Sequence, residues 1–178
     1  DKGRLYLYRY WDYERNLSDF ICKRVKIPAD GPALDLSLMR ERLGLLFPPE
    51  RQGEANWQKI AAAAALMNSF TVISGSPGTG KTTTVTKIMA LLLELAGERK
   101  ISLAMAAPTG KAAARLQEAV KNAREFLPCA KTIKAALPEK ATTLHRLLGS
   151  LPDSPYFRYN QENPLPFDVV IVDEASMV

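Results

Sequence analysis

The segment from Gly75 to Thr82 holds the residues of this chain whose types and spacing are best suited to chemistry. It reads Gly-Ser-Pro-Gly-Thr-Gly-Lys-Thr and fits the pattern G-x-x-x-x-G-K-S/T. Glycines let backbone N–H groups turn inward around phosphate oxygens, and a helix that starts at Lys81 adds the positive end of its dipole. The residues predicted to bind a nucleotide phosphate here are Gly75, Ser76, Pro77, Gly78, Thr79, Gly80, Lys81, Thr82 and Thr83.

Two adjacent carboxylates, Asp173 and Glu174, follow the apolar run 167–172 directly. An acidic residue at the tip of a strand beside a phosphate loop can hold Mg²⁺, and a second carboxylate can orient and deprotonate an attacking water. The pair therefore predicts ATP hydrolysis. Lys81 and Glu174 are the candidate catalytic residues, and Thr82 and Asp173 are the candidate Mg²⁺ ligands.

Three further segments carry weaker signals. Lys111 and Arg115 lie four residues apart on a predicted helix, so they can follow a nucleic acid backbone or be an ordinary surface pair. The segment Thr142–Gly149 contains the single histidine, His145, on a short helix that Thr142 or Thr143 can cap. Gln58 lies on a helix ahead of the loop, and its amide both donates and accepts hydrogen bonds, which suits the edge of adenine; taken alone, it is equally an ordinary surface glutamine.

Hydrophobic periodicity places these motifs on alternating helices and strands. Such an order predicts an α/β fold with a parallel sheet and helices on both faces. The chain divides at Pro48-Pro49 into a small, mainly helical N-terminal domain (1–49) and a larger domain (50–178). Residues 128–167 are proline-rich, and two flexible loops or one ordered insertion are equally compatible with them. The predicted elements are strand 5–10, helices 11–27, 34–46 and 55–68, strand 70–74, helix 81–96, strand 101–107, helix 110–126, short helix 142–148 and strand 167–172.

Composition and charge limit the class of protein. The 178 residues carry a net charge of +5, and residues 51–130 hold ten Lys/Arg against five Asp/Glu. That surplus around the loop fits a phosphate-rich partner. No apolar run is long enough to span a membrane, and the two cysteines have no metal-ligand spacing, so we expect a cytoplasmic protein without a membrane partner. Both ends of the sequence suggest an excerpt from a longer protein.

The ordered set of motifs resembles the opening motifs of superfamily 1 DNA helicases. The residues of four of these motifs are similar to those of the RecD family, the alpha subunits of bacterial exodeoxyribonuclease V (the RecBCD complex). The four motifs are Gly78–Val85, Ala107–Leu116, Thr143–Gly149 and Val172–Met177. The resemblance implies an ATP- and Mg²⁺-dependent 5′→3′ DNA motor of the P-loop, RecA-like fold. Such a motor acts on single-stranded DNA and DNA ends in recombination repair.

The resemblance also implies roles for individual residues. Gln58 would contact adenine, and the N-terminal zone would dock on a partner subunit of a heterotrimer with RecB- and RecC-like proteins. A second RecA-like domain, which completes the ATP site with an arginine, is not in this sequence, so the fragment should hydrolyse ATP weakly or not at all. The residues that would lie along single-stranded DNA are Pro108, Thr109, Lys111, Thr143 and His145.

Two other classes of function are compatible with a phosphate loop. A phosphotransferase or small-molecule kinase would need an acceptor site that excludes water, and the adjacent Asp173 and Glu174 argue against one. An interaction module would bind nucleotide without turnover and use it only to stabilise a docking surface. Phosphate transfer to a small acceptor would favour the first class, and tight binding without turnover would favour the second.

Overall fold

Three parallel strands organise the part of the chain that the structure describes. The computed structural model describes residues 5, 7–25, 35–48, 55–76, 78–152 and 154–177. The helices are α1 (Tyr8–Val25), α2 (Leu36–Leu46), α3 (Trp57–Met67), α4 (Lys81–Ala96), α5 (Gly110–Glu125), α6 (Lys131–Ala136) and α7 (Leu144–Leu148), and the strands are β1 (Leu103–Ala107), β2 (Ala141–Thr143) and β3 (Val169–Val172).

The strands run in the order β2-β1-β3. Ala107 lies opposite Thr143 in one parallel pair, and Ala106 lies opposite Val172 in the other. This register brings the carboxyl ends of all three strands to one edge of the sheet at nearly the same height. Ligands of open α/β sheets bind beyond that edge. The predicted parallel α/β architecture is therefore confirmed.

Helix α4 lies at the centre of the core. It begins after Gly80, and it ends at Gly97, which has a φ of 58° and whose N–H donates to the Glu94 carbonyl oxygen. Its inner face buries Ile88, Met89, Ala90 and Leu91, and the same buried cluster includes α2 side chains. Burying each of Ile88, Met89 and Leu91 stabilises the fold by roughly 1.5–3 kcal/mol, so α4 is held firmly behind the loop. The α2 members are Met39, Leu43 and Leu46, followed by Phe47.

The predicted buried strand at 70–74 is wrong. Residues 71–76 belong to no strand, and 75% of the Val72 surface is exposed. A strand needs a neighbour for its backbone N–H and C=O groups. Within the described sheet the strands pair only as β2-β1-β3, so no described strand lies beside this segment.

Two other parts of the chain also differ from expectation. The predicted strand 5–10 is wrong from Tyr8 onward because α1 starts there, and Tyr6 lies outside the described residues. Residues 128–167 contain more order than one short helix: α6, β2, α7 and an antiparallel bridge between Ser150 and Phe157. Pairing of β2 with β1, a contact distant in sequence, gives this segment its order and supports one ordered insertion. The remaining predicted elements occur within two residues of their expected bounds, apart from α1, which begins three residues before the expected start of helix 11–27, and apart from ends that meet undescribed residues.

None of the described helices is long and apolar enough to cross a membrane.

Candidate functional site

The glycines of the loop adopt conformations that other residues avoid. Gly78 has a φ of 80° and Gly80 a φ of 76°, both in the left-handed region. In L-residues that region brings Cβ too close to the carbonyl oxygen, and glycine has no Cβ. Gly80 is the residue from which α4 starts, so the left-handed turn aims the chain into the helix. Pro77 of the predicted loop lies outside the described residues.

The Lys81 ammonium lies over the beginning of the loop. Its Nζ donates to the carbonyl oxygens of Gly75, at 2.6 Å, and Ser76, at 2.9 Å. An ammonium has three donor hydrogens, so one is left for a ligand while the other two fix the position of the charge. The Thr79 hydroxyl also donates to the Ser76 carbonyl oxygen, at 2.8 Å. These contacts hold a positive charge within the turn, where phosphate oxygens are expected.

Gln58 joins α3 to the loop. Its Nε2 donates to the Thr79 carbonyl oxygen at 3.1 Å, across 21 residues of sequence. A Cβ on Gly80 would lie 3.0 Å from that Nε2, and one on Gly75 would lie 2.8 Å from the Thr79 hydroxyl. Glycine at both positions therefore lets the loop close against Gln58 and Thr79 without displacing either side chain. The oxygen of the Gln58 amide is left for another partner.

A groove of about 470 Å³ opens between the start of α3 and the loop. This volume lies in the range of ligand pockets, roughly 300–1,000 Å³. It contains the predicted residues Gln58, Gly75, Thr79 and Lys81 together. Sequence reasoning missed other residues of the lining, and the position of Trp57 next to Gln58 was the one signal that could have found it. The missed residues include Asn56, Trp57, Ser74 and Thr84.

A larger groove, of about 620 Å³, lies at the other end of α4 near Glu94 and Cys129. Glu94 is 13 residues from Lys81, which is about 20 Å along a helix. Burial raises the pKa of the Cys129 thiol, and the Glu94 charge adds to that effect. This groove has no phosphate loop in its lining, so the smaller groove is the candidate nucleotide site.

The two carboxylates lie where the strand pattern places them. Asp173 follows β3 directly, its N–H donates to the Ala106 carbonyl oxygen at 3.0 Å, and its Oδ1 accepts from the Glu174 N–H at 3.0 Å. Glu174 has a φ of 51° and is the one non-glycine residue of the described chain with a positive φ. Such a conformation costs roughly 1–3 kcal/mol and is typical of functional sites. Among the described residues, no hydrogen bond joins this pair to the phosphate loop.

The candidate nucleic-acid residues emerge from two neighbouring strands. Thr109 follows β1 and caps α5, and its hydroxyl oxygen accepts from the Ala112 N–H at 3.2 Å. Thr143 ends β2 and caps α7 in the same way. Lys111 and His145, one or two residues into these helices, are both exposed. The structure thus collects Pro108, Thr109, Lys111, Thr143 and His145 at one edge of the sheet.

Thr82 and Thr83 lie in the first turn of α4, where Thr82 is half-buried and Thr83 exposed. The predicted nucleotide residues thus gather in the loop, at the start of α4 and on α3. The carboxylates and the candidate nucleic-acid residues lie at the carboxyl edge of the strands. The glycine cradle, the lysine charge and the adjoining groove fit a nucleotide and its phosphates.

Comparison with known proteins agrees with the α/β fold. A family model described as "AAA domain" matches residues 58–178. The chain is 42% identical to the RecBCD enzyme subunit RecD of Haemophilus influenzae, over 99% of this chain and 28% of that protein. It is 45% identical to the RecBCD enzyme subunit RecD of Mycolicibacterium smegmatis, over 98% of this chain and 30% of that protein.

A third relative is the ATP-dependent RecD2 DNA helicase of Deinococcus radiodurans. The identity is 34%, over 99% of this chain and 21% of that protein. The chain therefore spans less than a third of the length of the curated relatives it matches.

Proposed function

We propose that this chain, which belongs to the AAA domain family, supplies the ATP-binding part of an ATP-dependent DNA helicase or translocase. The observation that carries the proposal is the loop itself. Its two left-handed glycines, the Lys81 ammonium on two loop carbonyls and the Gln58 contact form one nucleotide-sized site. Similarity to RecD and RecD2 proteins supports a DNA motor over other nucleotide-binding proteins.

The roles in nucleotide chemistry follow from position. Loop N–H groups and Lys81 would hold the phosphates, and the free oxygen of the Gln58 amide would accept from the adenine edge. Thr82 and Asp173 would be the Mg²⁺ ligands, and the bound ion would neutralise charge on the phosphates. Glu174 would orient and deprotonate the attacking water, since the residue is exposed, and its N–H donates to the neighbouring Asp173 carboxylate and fixes that side chain.

The proposed roles in DNA binding follow from the position of five residues at the carboxyl edge of the sheet. Lys111 would pair with a phosphate, and Pro108, Thr109, Thr143 and His145 would line the same single-stranded path. The 5′→3′ direction of movement is the one that the family resemblance implies. A protein that acts on the ends of bacterial DNA would be located in the cytoplasm.

The exposed apolar side chains of α1 favour docking of the N-terminal region on a partner subunit. Helix α1 has no buried residues, and its exposed apolar side chains include Tyr10, Tyr13, Leu17 and Phe20. These follow i, i+3, i+7, i+10 spacing, so they form one apolar stripe. Because two relatives are subunits of the RecBCD enzyme, we propose that residues 1–49 dock on RecB- or RecC-like subunits and that 50–178 form the first motor domain.

Steady-state ATPase of the full-length protein, with and without single-stranded DNA, tests the proposal. We expect strong stimulation by DNA. Lys81→Gln should lower the stimulated rate about 100-fold or more, because it removes the charge that stabilises the transferring phosphoryl group. Unchanged DNA-stimulated turnover in Lys81→Gln would contradict the nucleotide assignment.

A second pair of variants tests the DNA assignment. Lys111→Ala should keep the DNA-free rate, require more DNA for half-maximal stimulation, and lower the salt dependence of DNA binding by about one unit of slope. Lys121 is exposed on the same helix about 15 Å farther along, so Lys121→Ala is the matched control and should behave as the wild type. Equal effects of the two variants would indicate general charge attraction in place of a DNA path at the sheet edge.

A further inference from the structure

Trp57 is an exposed aromatic residue whose backbone position is fixed by a helix cap. It is the first residue of α3, and 76% of its surface is open to solvent. The preceding Asn56 caps the helix, with its Oδ1 accepting the Lys59 N–H at 2.9 Å. An N-cap of this kind fixes the first turn, so the backbone that carries the indole does not have to be ordered on ligand binding. The indole is therefore open to contact with a ligand that lies beside it.

The indole lies beside the phosphate loop. Trp57 lines the same groove as Gln58, Gly75 and Lys81, and it is the one aromatic residue among the described lining residues. A nucleotide base needs contacts of two kinds, hydrogen bonds to its edge and apolar contact with its face. Gln58 offers the first kind through its free amide oxygen, since its Nε2 already donates to the Thr79 carbonyl oxygen. The face of the base requires another residue.

We propose that the Trp57 indole stacks on the base of the nucleotide whose phosphates the loop holds. This inference rests on the proposed function. Stacking accepts any base because every base has a π-face. Trp57 therefore adds affinity for nucleotides over bare phosphates, and the choice of adenine belongs to Gln58.

A different explanation of the exposed indole predicts a different result. Trp57, Ile60 and Met67 are all at least half exposed and lie on one side of α3, at i, i+3 and i+10. If another part of the protein covered this stripe, Trp57 and Ile60 would both contribute to folding and neither to nucleotide binding. Ile60 is therefore the matched control for Trp57.

Isothermal titration calorimetry of the full-length protein with ADP and with inorganic tripolyphosphate separates these explanations. We expect Trp57→Ala to weaken ADP binding about 10-fold, which corresponds to about 1.4 kcal/mol. Tripolyphosphate has no base, so its binding should not change. Trp57→Phe should bind ADP within about threefold of the wild type because the ring is kept, and Ile60→Ala should match the wild type with both ligands.

Three results would overturn the inference. The first is an unchanged ADP affinity in Trp57→Ala, and the second is an equal loss of affinity for ADP and for tripolyphosphate, which a purely structural role predicts. Equal losses in Trp57→Ala and Ile60→Ala would likewise assign the stripe to folding. If the wild type binds neither ligand, the nucleotide proposal itself fails, and that result differs from all three.

Discussion

Adding a single methyl group at Gly80 tests the geometry of the loop. Gly80 has a φ of 76°, and a Cβ there would lie 3.0 Å from the Gln58 Nε2. Gly78 has a φ of 80° but meets nothing within 4 Å. Gly80→Ala therefore introduces backbone strain and a collision with Gln58, whereas Gly78→Ala introduces backbone strain alone. The two substitutions form a matched pair.

The expected magnitudes follow from these two terms. An L-residue in the left-handed region costs about 1–2 kcal/mol, which is roughly a 5- to 30-fold loss of affinity for a ligand that needs the loop in this conformation. Displacing the Gln58 amide from the Thr79 carbonyl oxygen costs about 0.5–1.5 kcal/mol more. Gly80→Ala should therefore bind ADP roughly 2- to 12-fold more weakly than Gly78→Ala does.

Calorimetric titration with ADP, in the wild-type and Gln58→Ala backgrounds, measures both terms. In the Gln58→Ala background the collision is gone, so Gly80→Ala and Gly78→Ala should lose equal affinity. Equal losses already in the wild-type background would show that Gln58 does not press on the loop. A difference that persists without the Gln58 amide would place its cause elsewhere.

Two more predictions concern the acid side of the stability profile and the N-terminal helix. Ser102 donates its N–H, at 2.7 Å, and its hydroxyl, at 2.8 Å, to Asp168 Oδ2, and these bonds, with Arg99 nearby, hold the pKa of that carboxyl below its usual 3.8. A lowered folded-state pKa stabilises the fold above the unfolded pKa, and that stabilisation is lost as pH falls through the folded value. Asp168→Asn should thus lower the melting temperature at pH 7 and much less at pH 3, and an equal loss at both would refute the charge argument. Paired Leu17→Glu and Phe20→Glu changes should prevent co-elution with RecB- and RecC-like subunits while leaving ADP affinity unchanged, and co-elution as in the wild type would remove α1 from the docking surface.

The elements that the sequence predicted correctly are those bounded by glycines or marked by local hydrophobic periodicity. Helix α4 occurs with its expected bounds because glycines stand at both ends, at Gly80 and Gly97. The positions of Asp173 and Glu174 after a strand follow from an apolar run that ends at a charged pair. In each case the information is local, and the chain beyond a few residues does not change the outcome.

The errors concern pairing between distant segments. The apolar run 70–74 has the composition of a strand, but a segment becomes a strand only when a neighbouring strand pairs with its backbone N–H and C=O groups. The reverse holds for β2, where three residues of ordinary composition, Ala141–Thr143, become a strand because β1 lies beside them. The Gln58 contact with Thr79 is also non-local, so the sequence indicated a helix near the loop but not which atom it would touch.

The register of the sheet gives a physical reason why the proposed nucleotide site and the proposed DNA site would influence each other. Asp173 is hydrogen bonded to Ala106 of β1, and the next residue of β1, Ala107, lies opposite Thr143. Neighbouring strands are about 4.8 Å apart, so the candidate Mg²⁺ ligand and a candidate DNA residue are separated by roughly 10 Å, with the Thr109 turn between them.

If Asp173 moved when the bound nucleotide changed, the movement would be transmitted through β1 to the start of α5. The Lys111→Ala variant reports on that path. Loss of DNA stimulation with DNA-free turnover intact is the result that a nucleotide site and a DNA site one strand apart predict. Parallel loss of both rates would mean that Lys111 serves the nucleotide site itself.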